Sequence, residues 1–371
     1  MSAITEFLLS HTPVYSVEMG LNKMRIACGE LNTPEPVIKH FNSCISSSSI
    51  MKIESGNYKV NEEQFEQSIQ KLQTNKVLTE KNVSLVLPDA FFSFGQLSVP
   101  IASLKGGLRP VLEREVQAVN NRPFEDFVIK YEIGEKSDGK VLVHYCTAIK
   151  ENLYELFSLF KKTGFVPVSA QPAFTGLAKI LQMQQSSDSN HPSVFLHFDY
   201  DSTTMGIYDS SGLKMVRGID VGINTLLERL KLQLKLGENE ADFLLYQEPL
   251  ILDDPSDSEA QMEIASFKAI EPVMADFLQK IYGILLLYSS ESKKDSGYMK
   301  IVISGIGALI KNLDKLIAFN LGISTFTISR ELSKWSNLAI KNESLETLAP
   351  LFGNIFLKPH LSNRFDRIIS S

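Results

Sequence analysis

The sequence predicts an α/β protein made of two repeated units, the first interrupted by a small α+β subdomain. Three patterns carry this expectation. A strand hairpin opens the chain and another opens its second half; a strand, a helix and two strands are grouped at about residues 91–150; and the stretch MQQSSDSNHP separates two halves that begin alike. The domains expected are residues 1–185 with the insertion at about 91–150, residues 190–348, and a segment 349–371 that returns to the first domain.

The opening hairpin comes from PVYSVEMG and MRIACGEL. Val14, Ser16 and Glu18 alternate with Tyr15, Val17 and Met19, the period-two pattern of a strand, and Gly20, Leu21, Asn22 and Lys23 turn it. In NEEQFEQSIQKLQ, Phe65, Ile69 and Leu72 fall at helical spacing, with Asn61 as N-cap and acids in the first turn. NVSLVLPD is a short buried strand stopped by Pro88. The insertion reads as strand FSFGQLSVP, a helix at 109–121, and strands FVIKYEI and VLVHYCTAI. Helix NLYELFSLFKKTG is expected to bury Leu153, Leu156, Phe157 and Phe160 and to end at Gly164. VPVSAQP then leads into helix AFTGLAKILQMQ.

The second half repeats the opening. Residues 195–222 form a three-strand meander turned at Asp209, Ser210, Ser211 and Gly212, and the helix INTLLERLKLQLKL follows. An acidic loop, DDPSDSEA, precedes a helix at about 260–289 that should break near Pro272. A buried strand, a Gly-x-Gly turn and a helix arise from KIVISGIGALIKNLDKLIAFNLG, and LETLAPLFGNIFL is a closing helix.

Composition narrows the function classes. With 371 residues, 44% hydrophobic, the chain can bury two ordinary cores. A net charge of -6 and the lack of a Lys/Arg cluster leave no footprint for nucleic acid. Cys28, Cys44 and Cys146 have neither disulfide-framework nor metal-site spacing, which fits a reducing compartment. The first residues lack the pattern of a signal peptide, Phe7, Leu8 and Leu9 reading as a short docking turn. The longest apolar run, YGILLLY, falls far short of the roughly 20 residues of a spanning helix. Membrane work would then come through a partner.

Chemistry is concentrated at three turns. A strand ending in Ser304, Gly305, Ile306 and Gly307 before a helix suits a phosphate in principle, since glycine lets N–H groups approach and a helix N-terminus favours anions. The turn after Met19 and the Asp201, Ser202, Thr203, Thr204 run are the other two; each is also an ordinary self-bonded turn. Lys23 suits a phosphate or solvent equally. His197 reads as a core histidine, Trp335 as an anchor, and His144 with Cys146 as structural, because no orienting third group accompanies them.

The order of these parts resembles the actin-like ATPase superfamily, and within it the PilM family of type IV pilus assembly and the cytoplasmic domain of the type II secretion protein GspL. SVEMGLNKMRIA resembles that family's first phosphate hairpin; LVLPD, LSVP and EREVQAVNNRPFEDFVIKYEI its inserted subdomain; KKTGFVPVSAQPAFTGLAKIL its linker. LHFDYDSTTMGIYDSSGLKMVRGIDVGINTLLERL, GENEADFLL and VISGIGALIKNLDKLIAFNLGI follow in family order. The resemblance implies an actin-like, ribonuclease H-like duplicated fold: two α/β domains about a cleft. It implies ATP at Gly20, Leu21, Asn22, Lys23, Asp201, Ser202, Thr203, Thr204, Ser304, Gly305, Ile306 and Gly307, and Mg2+ at Glu18 and Asp199. The implied partner is the short cytoplasmic tail of a PilN-like inner-membrane protein, bound in a groove beside the insertion; other platform proteins or a second copy are further partners.

The departures bear on mechanism. Glu18 replaces the family's first aspartate. Read without gaps, His197 replaces the second aspartate and Asp199 the phosphate-touching glycine; slid by two residues, Asp199 is the aspartate and Asp201 stands at the glycine. Either way a carboxylate faces phosphate, and a like-charge pair at about 4 Å in a dielectric near 20 costs roughly 4 kcal/mol before a metal screens it. Only about 1.4 kcal/mol is needed for a tenfold loss of affinity. The expectation is a cytoplasmic scaffold, peripheral at the inner membrane, with a degenerate nucleotide site and no or very weak ATPase activity. The alternatives are an ATP-dependent switch of the same platform and a cell-division-like actin-fold protein.

Overall fold

The structure is a computed structural model of the chain and describes residues 14–30, 37–54, 57–73, 81–120, 122–184, 191–209, 212–247, 261–292, 298, 300–332 and 343–356. The chain divides into two units. One comprises Met1–Pro88, Asn152–Lys179 and Pro350–Ser371, the other Asp89–Glu151 and Ile180–Ala349.

Strands β1 (Val14–Met19), β2 (Lys23–Glu30) and β3 (Val37–Ile45) make an antiparallel meander. A hairpin of β4 (Met51–Glu54) and β5 (Asn57–Val60) leads to helix α1 (Glu62–Gln73), which Asn61 caps by accepting the Gln64 N–H at 3.2 Å. Strand β6 (Asn82–Leu87) lies parallel to β1. The chain then enters the second unit, where β7 (Ser93–Pro100), helix α2 (Arg109–Asn120), β8 (Phe127–Ser137) and β9 (Lys140–Ile149) form the inserted subdomain. Its sheet runs β7-β9-β8, and Leu112 and Val116 of α2 pack on Val99, Phe127, Val141, Val143 and Tyr145.

The chain returns to the first unit at Asn152, within α3 (Lys150–Lys162), continues as β10 (Val166–Pro172) and α4 (Ala173–Gln184), and leaves that unit after Lys179. The sheet is completed in the order β10-β6-β1-β2-β3. Phe160 of α3 meets Phe65 of α1 edge-on at 4.9 Å.

In the second unit β11 (Ser193–Phe198), β12 (Thr203–Asp209) and β13 (Gly212–Ile219) repeat the meander. Helices α5 (Ile223–Leu234), α6 (Glu238–Gln247) and α7 (Gln261–Ser292) follow, then β14 (Ile301–Ser304), α8 (Leu313–Leu321), β15 (Thr325–Thr327), α9 (Ile328–Leu332) and α10 (Leu345–Phe356), whose residues from Pro350 on belong to the first unit. The sheet order β13-β12-β11-β14-β15 traces the same path as the first, with the fourth and fifth strands parallel to the strand that opens the meander. The expected duplication is therefore present at the level of topology. Leu196 and Phe198 of β11, Met205 and Ile207 of β12, Leu226 and Leu230 of α5 and Phe277 and Ile281 of α7 share one core.

Several expectations need correction. Helix α7 runs unbroken through Pro272. The proline is exposed and removes one N–H, at a cost of about 3 kcal/mol. Ile270, Val273, Met274 and Phe277 are buried around it, each contributing roughly 1.5–3 kcal/mol, so packing prevails. In α3 the buried stripe contains Leu159 rather than Phe157, which is half-buried. Strand β3, the β4–β5 hairpin, β15 and α9 were not foreseen: β3 mixes exposed Lys39 and His40 with buried Cys44 and shows no clean alternation. The Gly-x-Gly turn opens onto one 3-10 turn, Ile306–Leu309, and α8 begins only at Leu313. The Phe7, Leu8, Leu9 stretch, most of the stretch between the halves, Ser210 and Ser211, the acidic loop and Trp335 lie outside the described residues. Among the described residues no helix is long and apolar enough to cross a membrane.

Candidate functional site: the two hairpin turns and the Gly-x-Gly turn

The first unit presents the β1–β2 turn. Gly20 N–H donates to the Lys23 carbonyl at 2.8 Å, closing it. The Leu21 carbonyl accepts from Ile50 and Met51 N–H at 2.6 and 3.1 Å, and the Asn22 carbonyl from Ser46 N–H at 2.8 Å, so residues 46–51 brace the turn from below. Asn22 is exposed and Lys23 half-buried. Glu18 is paired in register with Arg25, and one guanidinium nitrogen donates to both carboxylate oxygens, at 2.9 and 3.0 Å. Both side chains are largely buried, at 10% and 19% exposure for Arg25 and Glu18. The carboxylate proposed from sequence for a cation thus already faces one.

In the second unit the β11–β12 turn holds Asp199, Asp201 and Ser202, with Thr203 and Thr204 buried at the head of β12. Asp199 N–H donates to the Ser202 carbonyl at 3.1 Å, and its carboxylate accepts the Tyr200 N–H at 2.8 Å. The turn rests on the start of α5. Ile223 and Asn224 donate their N–H groups to the Asp199 and Tyr200 carbonyls at 3.0 and 2.9 Å, and Asn224 Nδ2 donates to Asp201 Oδ1 at 2.9 Å. Two of the orphan donors that would make this helix end an anion site are thereby satisfied. Gly222 is what permits the seating, since a Cβ there would overlap the Tyr200 carbonyl oxygen. Thr203 Oγ1 donates to the Val221 carbonyl at 2.7 Å. Burial pushes the Asp201 carboxyl above its usual range, the charge of Asp199 adds to this, and the Asn224 bond opposes it.

The Gly-x-Gly turn lies beside it, Ser304 being paired with His197 across β14 and β11. Gly305 has φ +86, and a Cβ there would lie 2.5 Å from the Phe198 carbonyl oxygen and 3.2 Å from His197 Cε1. A Cβ on Gly307 would overlap the Phe198 ring. Both glycines thus serve close packing on β11. Ile306 packs against the main core of the unit. His197 is a core residue, 4% exposed, whose Nδ1 has no hydrogen-bond partner among the described residues.

Ser304 Oγ and Gly305 N–H both donate to the Glu346 carbonyl of α10, at 3.0 and 2.9 Å. Residue 350, four positions on, is a proline without an N–H, so that carbonyl lacks its i+4 helical donor. The structure therefore groups Asp199, Asp201, Ser202 and the residues from Ser304 to Gly307 in one unit, and Glu18 with Gly20 to Lys23 in the other. Arg25, Gly222, Asn224 and Glu346 were not anticipated. Arg25 was within reach of sequence reasoning, because a tight turn at Gly20 fixes it opposite Glu18; the other three were not. Among the described residues no group of three or more His, Cys, Asp or Glu is placed to hold a metal ion.

No family profile matches the sequence, and no curated protein does. Solved structures do match. The PilM-PilN type IV pilus biogenesis complex aligns with a TM-score of 0.70 and 14% identity over 93% of this chain and 97% of that one. This chain has an actin-like fold. MreB5 of Spiroplasma citri bound to ADP shares it at TM-score 0.52 and 10% identity, over 96% of this chain and 99% of that one. The ethanolamine utilization protein EutJ from Carboxydothermus hydrogenoformans matches at 0.50 and 11%, over 93% and 89%. Within the actin-like fold described here, the β1–β2 and β11–β12 turns occupy equivalent places, each joining the first two strands of its meander.

Proposed function

We propose that this chain is an actin-like scaffold of a type IV pilus or type II secretion platform, cytoplasmic and held at the inner membrane by partners, where it recruits the short cytoplasmic tail of a PilN-like protein. The observation that carries this reading is the alignment with the PilM-PilN complex over nearly the whole of both chains. An extended tail beside the insertion gains affinity from main-chain bonds and specificity from alternate side chains.

The reading includes a degenerate nucleotide site. The residues present do not fit a Mg2+-bound triphosphate: the Glu18 charge is met by Arg25, Asp199 and Asp201 add negative charge beside each other, and the Ser304 hydroxyl and Gly305 N–H are directed to Glu346. A second reading, a nucleotide-operated switch, is favoured by the likeness to MreB5 bound to ADP. In it Gly20 to Lys23, Asp201 to Thr204 and Ser304 to Gly307 hold ATP, with Mg2+ at Glu18 and Asp199.

Isothermal titration with Mg-ATP, run beside the Asp199→Gly variant, separates the two. No heat from the natural chain, with binding gained by the variant, supports the degenerate scaffold; micromolar binding by the natural chain overturns it. Affinity capture from native membranes tests the partner. The expected catch is a single-span protein with a short cytoplasmic leader, and its consistent absence counts against recruitment.

A further inference from the structure

We draw no further inference here: the strongest candidate, the exposed apolar stripe that Tyr282, Leu286 and Leu287 form beside Gly283 on helix α7, carries nothing because nothing in the structure shows what covers it.

Discussion

Arg25 and Glu18 face each other across the β1–β2 hairpin with one guanidinium nitrogen on both carboxylate oxygens, in surroundings largely closed to water. Removing one partner of such a pair strands the other charge, which costs more than the pair contributes. Arg25→Gln should therefore lower stability by about 2 kcal/mol, read as a shift in the urea midpoint at constant slope. A change within about 0.5 kcal/mol would mean the pair is effectively solvated.

Asp201 gives a pH dependence whose sign can be worked out. Its folded-state pKa is raised, by burial first and by Asp199 second. Its contribution is thus fully present below the ordinary aspartate range and is lost as pH rises through the folded value, leaving a penalty at neutral pH. Asp201→Asn keeps an acceptor for Asn224 and removes the charge. It should raise stability at pH 7 by about 0.5 kcal/mol, allowing for partial exposure, and lose that gain in acid. Thermal melts at pH 7 and below pH 4 are the check.

Ser304 separates a packing role from a phosphate role. Its hydroxyl donates to the Glu346 carbonyl, so Ser304→Ala should cost about 1 kcal/mol of stability without altering the Mg-ATP titration. Pro350→Ala supplies an N–H that competes for the same carbonyl, and the expected result is faster hydrogen exchange at the Gly305 amide.

Gly353 of α10 lies directly on Gly176 of α4, where a Cβ would overlap the Gly176 carbonyl oxygen. The next residue, Asn354, donates through Nδ2 to Ser16 Oγ at 2.6 Å and Ser84 Oγ at 3.0 Å, fixing the helix on β1 and β6. Shifting α10 off α4 to make space for a side chain would strain these bonds to β1 and β6. Gly353→Ala should destabilise the chain by about 3 kcal/mol. A melting temperature unchanged from the natural chain would show that the contact yields.

The chain itself determined the repeated α/β units, because period-two strands, helical stripes and their breakers are local signals. PVYSVEMG and the 195–222 meander were legible for that reason, as was the turn at Gly20. Tertiary structure decided what the turn residues do. Nothing local tells that the Glu346 carbonyl, freed by Pro350, would accept from Ser304 and Gly305, some 42 positions away from the serine. The seating of Asp199 and Tyr200 on Gly222 and α5 was equally hidden, since it depends on two carbonyls meeting two N–H groups more than 20 residues on. Pro272 shows the same physics in reverse: a strong local breaker is overruled where buried side chains on both sides hold α7 together. A glycine or a carboxylate in a sequence advertises conformational freedom or charge, and only the fold assigns the partner.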